Sequence, residues 1–132
     1  MDRIDLRVPL RPANARDLLG PPGEASASVR SRVQAARVIQ LRRYSGHGFA
    51  RNGRIPSGQV ESFCPLEVGA ERILTEAVEK LGLSSRACHS VLRVARTIAD
   101  LQAREGIGAD DLLEAIQHRR YGDGDYYWQD LR

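Results

Sequence analysis

The sequence predicts an all-α fold: a helical bundle of about four main helices, preceded by an extended, proline-rich leader. Three observations carry that reading. Apolar residues recur at three- and four-residue spacing from Leu66 to Leu81 and again from Cys88 to Ala99, the period of a helix packed along one side. A glycine, Gly82, closes the first of these runs, and the serines Ser84 and Ser85 open the second. The links between runs are short, so consecutive helices must pack against each other. The chain divides into a leader at 1–25, a helical domain at 26–120 and an aromatic, acidic tail at 121–132.

In the leader, Ile4, Leu6 and Val8 alternate with Arg3, Asp5 and Arg7, which is strand-like. Prolines at 9, 12, 21 and 22 then stop regular structure. With no sheet to join, this strand is expected to be disordered or to find makeshift packing. The first helix starts at Ser26 or Ser28, either of which is a candidate cap, and runs to about Tyr44 behind the stripe Val29, Val33, Ala36 and Ile39. Gly46, Gly48 and Gly53 make a loop, and Ser57 is placed to cap a short helix through Gln59 to Phe63 before Pro65 interrupts it.

Next comes a strongly amphipathic helix with Leu66, Ala70, Ile73, Leu74, Ala77, Val78 and Leu81 on one face, stopped by Gly82. The following helix buries Cys88, Val91, Leu92, Ala95, Ile98 and Ala99, and is expected to end near Arg104, where Glu105-Gly106 turns the chain. The last helix opens around Asp110, whose charge suits a positive helix N-terminus, and buries Leu112, Leu113 and Ile116. In the tail, Tyr126, Tyr127 and Trp128 are expected to tuck a ring or two against the domain.

Several classes are excluded. At 132 residues and 42% apolar content the chain supports one domain with a modest core. No apolar run is long enough for a membrane span or signal peptide, which makes the cytoplasm the default compartment and a membrane partner unexpected. Two cysteines, Cys64 and Cys88, are too few for a disulfide framework. Cys88 and His89 are neighbours, and adjacent helical residues point about 100° apart, so they do not chelate one ion; no metal site is expected. His47, His89 and His118 stand singly, with no nucleophile–base arrangement around them. The only lysine is Lys80 and no G-x-x-x-x-G-K-[ST] loop is present, so this chain alone is expected neither to hydrolyse ATP nor to hold a cofactor.

Charge is small overall, at +3, but unevenly placed. Residues 1–60 hold eleven arginines against four acids, whereas 61–132 hold nine basic residues against thirteen acidic ones. No acid lies between Glu24 and Glu61. Such asymmetry invites an anionic partner. One reading is a nucleic-acid-facing surface of Arg30, Arg37, Arg42, Arg43, Arg51 and Arg54, with the loop Gly46–Arg54 following the phosphate backbone. The other is a solvated helix face in a protein that uses nineteen arginines to one lysine.

The segment LSSRACHSVLRVARTIADL, Leu83 to Leu101, carries three arginines: Arg86, Arg93 and Arg96. An arginine in the first turn of a helix stands where unpaired N–H groups and the macrodipole already favour an anion, and its guanidinium adds a fork of donors. Arg96 has a partner four residues on, Asp100, at helical pairing distance.

Five pieces now occur together: DRIDLRV at the start, LLGPPGEASASVRSRVQAAR at 18–37, RNGRIPSGQVESFC at 51–64, the arginine helix, and IGADDLLEAIQHR at 107–119. In this order they resemble the C-terminal region of the magnesium-chelatase-related AAA+ ATPases of the ComM/YifB type, over Asp2 to about Arg120. The resemblance implies a C-terminal helical lid, cut from a longer module and given Met1 as a start. It implies that ATP and Mg2+ are bound by an AAA+ core of the same polypeptide, that neighbouring subunits form a homo-oligomeric, hexameric ring, and that the parent acts on DNA. It makes Arg3 in Asp2-Arg3-Ile4-Asp5 the arginine-finger candidate, acting in trans, and Arg86 in Ser84-Ser85-Arg86-Ala87 the sensor-2 candidate, with Arg93 two turns on as the second choice. Two alternatives stay open: a true magnesium-chelatase ATPase subunit of tetrapyrrole synthesis, or a small helical nucleic-acid-binding module.

Overall fold

A computed structural model describes residues 3–120. The helices are α1 (Ala15–Leu19), α2 (Ser26–Arg43), α3 (Val60–Phe63), α4 (Ala70–Leu81), α5 (Ser85–Leu101) and α6 (Ala109–Arg120), with 3-10 turns at Asn52–Arg54 and Ser57–Gln59. The four long ones are the bundle that periodicity predicts. Among the described residues there is no strand; the one β-type pairing is a parallel bridge between Leu66 and Ile107. It is closed by Glu67 N–H to the Ile107 carbonyl and Ile107 N–H to the Pro65 carbonyl, both 2.9 Å, and it ties the entrance of α4 to the entrance of α6.

Helix α5 is the axis. It buries Ala87, Ser90, Val91, Leu92, Ala95, Arg96, Ile98, Ala99 and Asp100, against α6 on one side and the C-terminal half of α2 on another. Small alanines let the neighbouring backbones approach, and Ile55, Val60, Ile107 and Leu112 fill the remaining space with almost no exposure. Removing one of these fully buried aliphatic side chains should cost about 2–5 kcal/mol.

The ends of the elements show where local signals were outweighed. The leader forms no strand. Instead it packs along the bundle: Arg7 N–H donates to the His118 carbonyl at 3.0 Å, and Ser90 Oγ donates to Asp5 Oδ1 at 2.5 Å. Helix α1 interrupts the leader where the prolines predict no regular structure, because a capping box starts it: Asn14 Oδ1 accepts from Asp17 N–H at 2.9 Å and Asp17 Oδ2 accepts from Asn14 N–H at 3.0 Å. Neither Ser26 nor Ser28 caps α2; the N-cap is Ala25, without a side-chain bond. The stripe expected on α2 is covered only from Ala36 onward, because nothing in the described chain lies beside the first half. Val29 is 39% and Val33 46% exposed.

Ser57 opens a 3-10 turn without capping it, and α3 begins only at Val60. Gly82 ends α4 in the left-handed conformation (φ 60°), as its place after Leu81 predicts. Helix α5 stops at Leu101, short of Arg104. There Ala103 takes φ 55° and Arg104 N–H reaches back to the Ala99 carbonyl at 2.9 Å, so a left-handed closing turn replaces the last helical residues. At α6 both Asp110 and Asp111 stand in the first turn, as the charge reading of Asp110 predicts, and Asp111 makes the capping bond: its Oδ2 accepts from Gly108 N–H at 2.8 Å. Leu112 and Ile116 are buried as expected, but Leu113 is 50% exposed and Ala115 takes the inward position. Tyr126, Tyr127 and Trp128 lie outside the described residues.

Candidate functional site

The three arginines of α5 have three different fates. Ser84 caps the helix, its Oγ accepting from Ala87 N–H at 3.2 Å, so the backbone direction at Arg86 is fixed. Arg86 itself is exposed and makes no hydrogen bond or ion pair among the described residues. Arg93 is half-buried and engaged: Nε (3.2 Å) and Nη2 (2.7 Å) both donate to the Ile55 carbonyl. Arg96 is 1% exposed and pairs with Asp100 as the four-residue spacing predicts, Nη2 to Oδ1 at 3.1 Å, while Nη1 and Nη2 also hold the carbonyls of Glu105 and Arg104. Only the first arginine of the helix therefore presents its guanidinium to the outside.

Arg3 is exposed as well. Two residues on, Asp5 is held by Ser90, which is one helical turn beyond Arg86. The leader's start and the arginine tip of α5 thus lie along the same half of that helix.

At the other end of α5 the Arg96–Asp100 pair is the core of a larger polar hub, whose Arg43 and Asn52 sequence reasoning missed. Asp100 is wholly buried and accepts from Arg43 through both guanidinium nitrogens, Nη1 to Oδ2 at 2.8 Å and Nη2 to Oδ1 at 2.5 Å, and from Asn52 Nδ2 at 2.8 Å. Asn52 in turn accepts from the Tyr44 hydroxyl at 2.5 Å, donates from Nδ2 to Thr97 Oγ1 at 3.0 Å, and gives its backbone N–H to Gln40 Oε1 at 2.9 Å. The Asp100 carboxylate hydrogen-bonded to Arg43 raises the arginine's pKa above its usual value. Burial pushes the Tyr44 phenol up. A single asparagine in a glycine-rich loop gives no periodic signal, and none in the sequence points to this role.

The basic candidates separate accordingly. Arg43 is committed to Asp100 and is 18% exposed at its side chain. Arg37 donates from Nη1 to the Ala50 carbonyl at 3.2 Å. Arg30, Arg42, Arg51 and Arg54 are exposed and have no bonded partner among the described residues. Beside them, Tyr44, His47, Phe49 and Phe63 form a ring cluster, with Tyr44–Phe49 centroids 4.9 Å apart and His47–Phe63 5.1 Å apart.

Other chemistry is sparse. Among the described residues no three His, Cys, Asp or Glu side chains gather to hold a metal ion. Cys64 is buried and its thiol is pushed up to about 11 by desolvation, which makes it unreactive at neutral pH. Cys88 is raised too, again by burial. No helix among the described residues is long and apolar enough to cross a membrane. The residues present fit one part of a nucleotide site: a bare guanidinium at a capped helix N-terminus suits a phosphate oxygen.

The fold is that of an all-α helical domain, with Arg86 exposed in the first turn of its central helix. The chain belongs to the family described as magnesium chelatase, subunit ChlI C-terminal, whose model matches residues 23–119. It is 40% identical over 121 residues to the competence protein ComM of Haemophilus influenzae, covering 90% of this chain and 23% of that protein. Uncharacterized YifB proteins of Escherichia coli and Salmonella typhimurium match at 38% and 36%, again over 90% of this chain and 23% of theirs. The chain thus spans about a quarter of the length of these relatives.

Proposed function

We propose that this domain is the helical lid of a ComM/YifB-type AAA+ ATPase, and that Arg86 is its sensor-2 arginine. The observation that carries the reading is the exposed, unbonded guanidinium of Arg86 on a helix whose other arginines are both engaged within the domain. In the parent, ATP with Mg2+ supplies the phosphoryl group, and the lid's own part is to place a fixed positive charge where negative charge spreads during transfer. Arg93 is the second candidate, though its donors already serve Ile55. Arg3 is proposed as the arginine finger, acting on the site of a neighbouring subunit in a hexameric, cytoplasmic ring. Because the rigid α5 carries Arg86 at its tip, contact with phosphate would bias the position of the whole bundle.

The parent is proposed to act on DNA, in keeping with its likeness to the competence protein. A magnesium-chelatase ATPase subunit is the second reading, favoured by the description of the matching family, and genes for tetrapyrrole synthesis beside the parent's gene would distinguish it. The test of the lid role is Arg86→Ala in the complete parent. Hydrolysis should fall on the order of 100-fold, with nucleotide binding changed only modestly and thermal unfolding unmoved. Unchanged turnover would remove Arg86 from the role.

A further inference from the structure

Folding turns the acid-free part of the sequence into one continuous surface. The C-terminal half of α2 and the loop after it lie side by side, joined by Asn52 N–H to Gln40 Oε1 at 2.9 Å and Arg37 Nη1 to the Ala50 carbonyl at 3.2 Å. Arg30 is seven residues before Arg37, hence on the same helix face and about 10 Å along the axis. Arg51 follows Ala50 directly, and Arg54 closes the next 3-10 turn. Arg30 and Arg37 on one face of α2 and Arg51 and Arg54 in the loop that Arg37 bonds therefore belong to neighbouring stretches of surface.

Among the described residues no carboxylate forms an ion pair with Arg30, Arg37, Arg51 or Arg54. Glu24 is paired with Arg32 at 2.6 Å, Asp100 is buried and bonded to Arg43 and Arg96, and Glu61 is exposed. At the loop, His47 is exposed as the outer ring of the aromatic cluster, 5.7 Å from Phe49 and 5.1 Å from Phe63. Guanidiniums with no paired carboxylate among the described residues, in the loop and helix that carry an exposed ring on an aromatic base, match what an unpaired nucleotide strand requires: charge along the backbone and a flat surface for a base.

We infer that this face of the lid itself binds single-stranded nucleic acid, with Arg30, Arg37, Arg51 and Arg54 along the phosphates and His47 against a base. The inference does not depend on Arg86 contacting nucleotide, so the two stand or fall separately. Arg42 and Arg43 are not part of it: Arg43 is engaged by Asp100, and Arg42 projects about 140° round the helix from Arg37.

The experiment uses the 132-residue chain and a fluorescently labelled oligothymidylate, followed by anisotropy over a range of salt. Each phosphate contact on a single strand contributes roughly −0.7 to the log–log salt slope, so four arginines predict about −2 to −3. Arg30→Ala, Arg51→Ala and Arg54→Ala combined should remove roughly two units of that slope. Their thermal unfolding should not change, since all three side chains are exposed and unbonded. His47→Ala should weaken binding roughly fivefold or more at an unaltered slope. Arg42→Ala and Arg86→Ala should leave the slope as it is. Absence of binding at low salt, a slope indifferent to the triple substitution, or an equal loss from Arg42→Ala overturns the inference. Tighter binding to a duplex with His47→Ala silent does so as well.

Discussion

Asp100 shows most clearly how single residues hold this domain. Its carboxylate has no exposure, and it meets two guanidiniums and an amide, so its charge is compensated by named donors. Asp100→Ala leaves Arg96 buried without its carboxylate, and the expected loss is about 3–5 kcal/mol by denaturant unfolding. Glu24→Ala breaks an ion pair that is half in water, at 55% and 45% side-chain exposure, and should cost under about 1 kcal/mol. Equal effects of the two substitutions would refute this assignment of the hub. Cys64 gives a pH dependence with a definite sign. Its thiol pKa rises from 9.0 to about 11 on folding, so its contribution is fully present below pH 9 and is lost as pH rises toward 11. The loss amounts to roughly 2–3 kcal/mol, and Cys64→Ala should flatten that alkaline limb. At this scale the Arg96–Asp100 pair was legible, being four residues apart on one helix. Arg43 and Asn52 were not, because their bonds to Asp100 span 57 and 48 residues and only folding brings them together.

Among the elements, α4 and α5 were legible because strong periodicity, a glycine stop and a serine cap agreed on them. Ser84→Ala should cost about 1 kcal/mol, read as a lower midpoint in thermal unfolding, whereas Ser26→Ala, which removes no cap, should leave the midpoint in place. Helix α2 misled the periodic reading: of the expected stripe only Ala36 is buried, and Val29 and Val33 have no covering partner among the described residues. Residues 26–35 are all exposed, so their amides should exchange with solvent well before those of Val91–Ala99. Similar protection in both stretches would contradict this packing. The strand expected in the leader failed for a different reason: alternation specifies a strand only where a second strand is present to pair with it.

For the molecule as a whole, the hub joins parts far apart in sequence. Arg43 brings in α2, Asn52 the loop, Asp100 and Arg96 the central helix, and Arg104 continues to Asp111 at the entrance of α6. Fold class and family were readable from the chain itself, since they rest on periods and motif order. The surface inferred to meet nucleic acid was readable only in outline: the charge imbalance was evident, but which arginines remained available depended on which ones the interior had engaged.

The projecting first half of α2 also acts as a phase setter. Each residue advances a helix by about 100°, so one residue inserted between Val33 and Ala36 would leave Ala36 and Gln40 seated while swinging Arg30 a quarter-turn or more out of line with Ala50. Four inserted residues would nearly restore its bearing, merely lengthening the arm by about 6 Å. Spacing in this stretch, rather than composition, is what keeps its guanidinium in register with the loop.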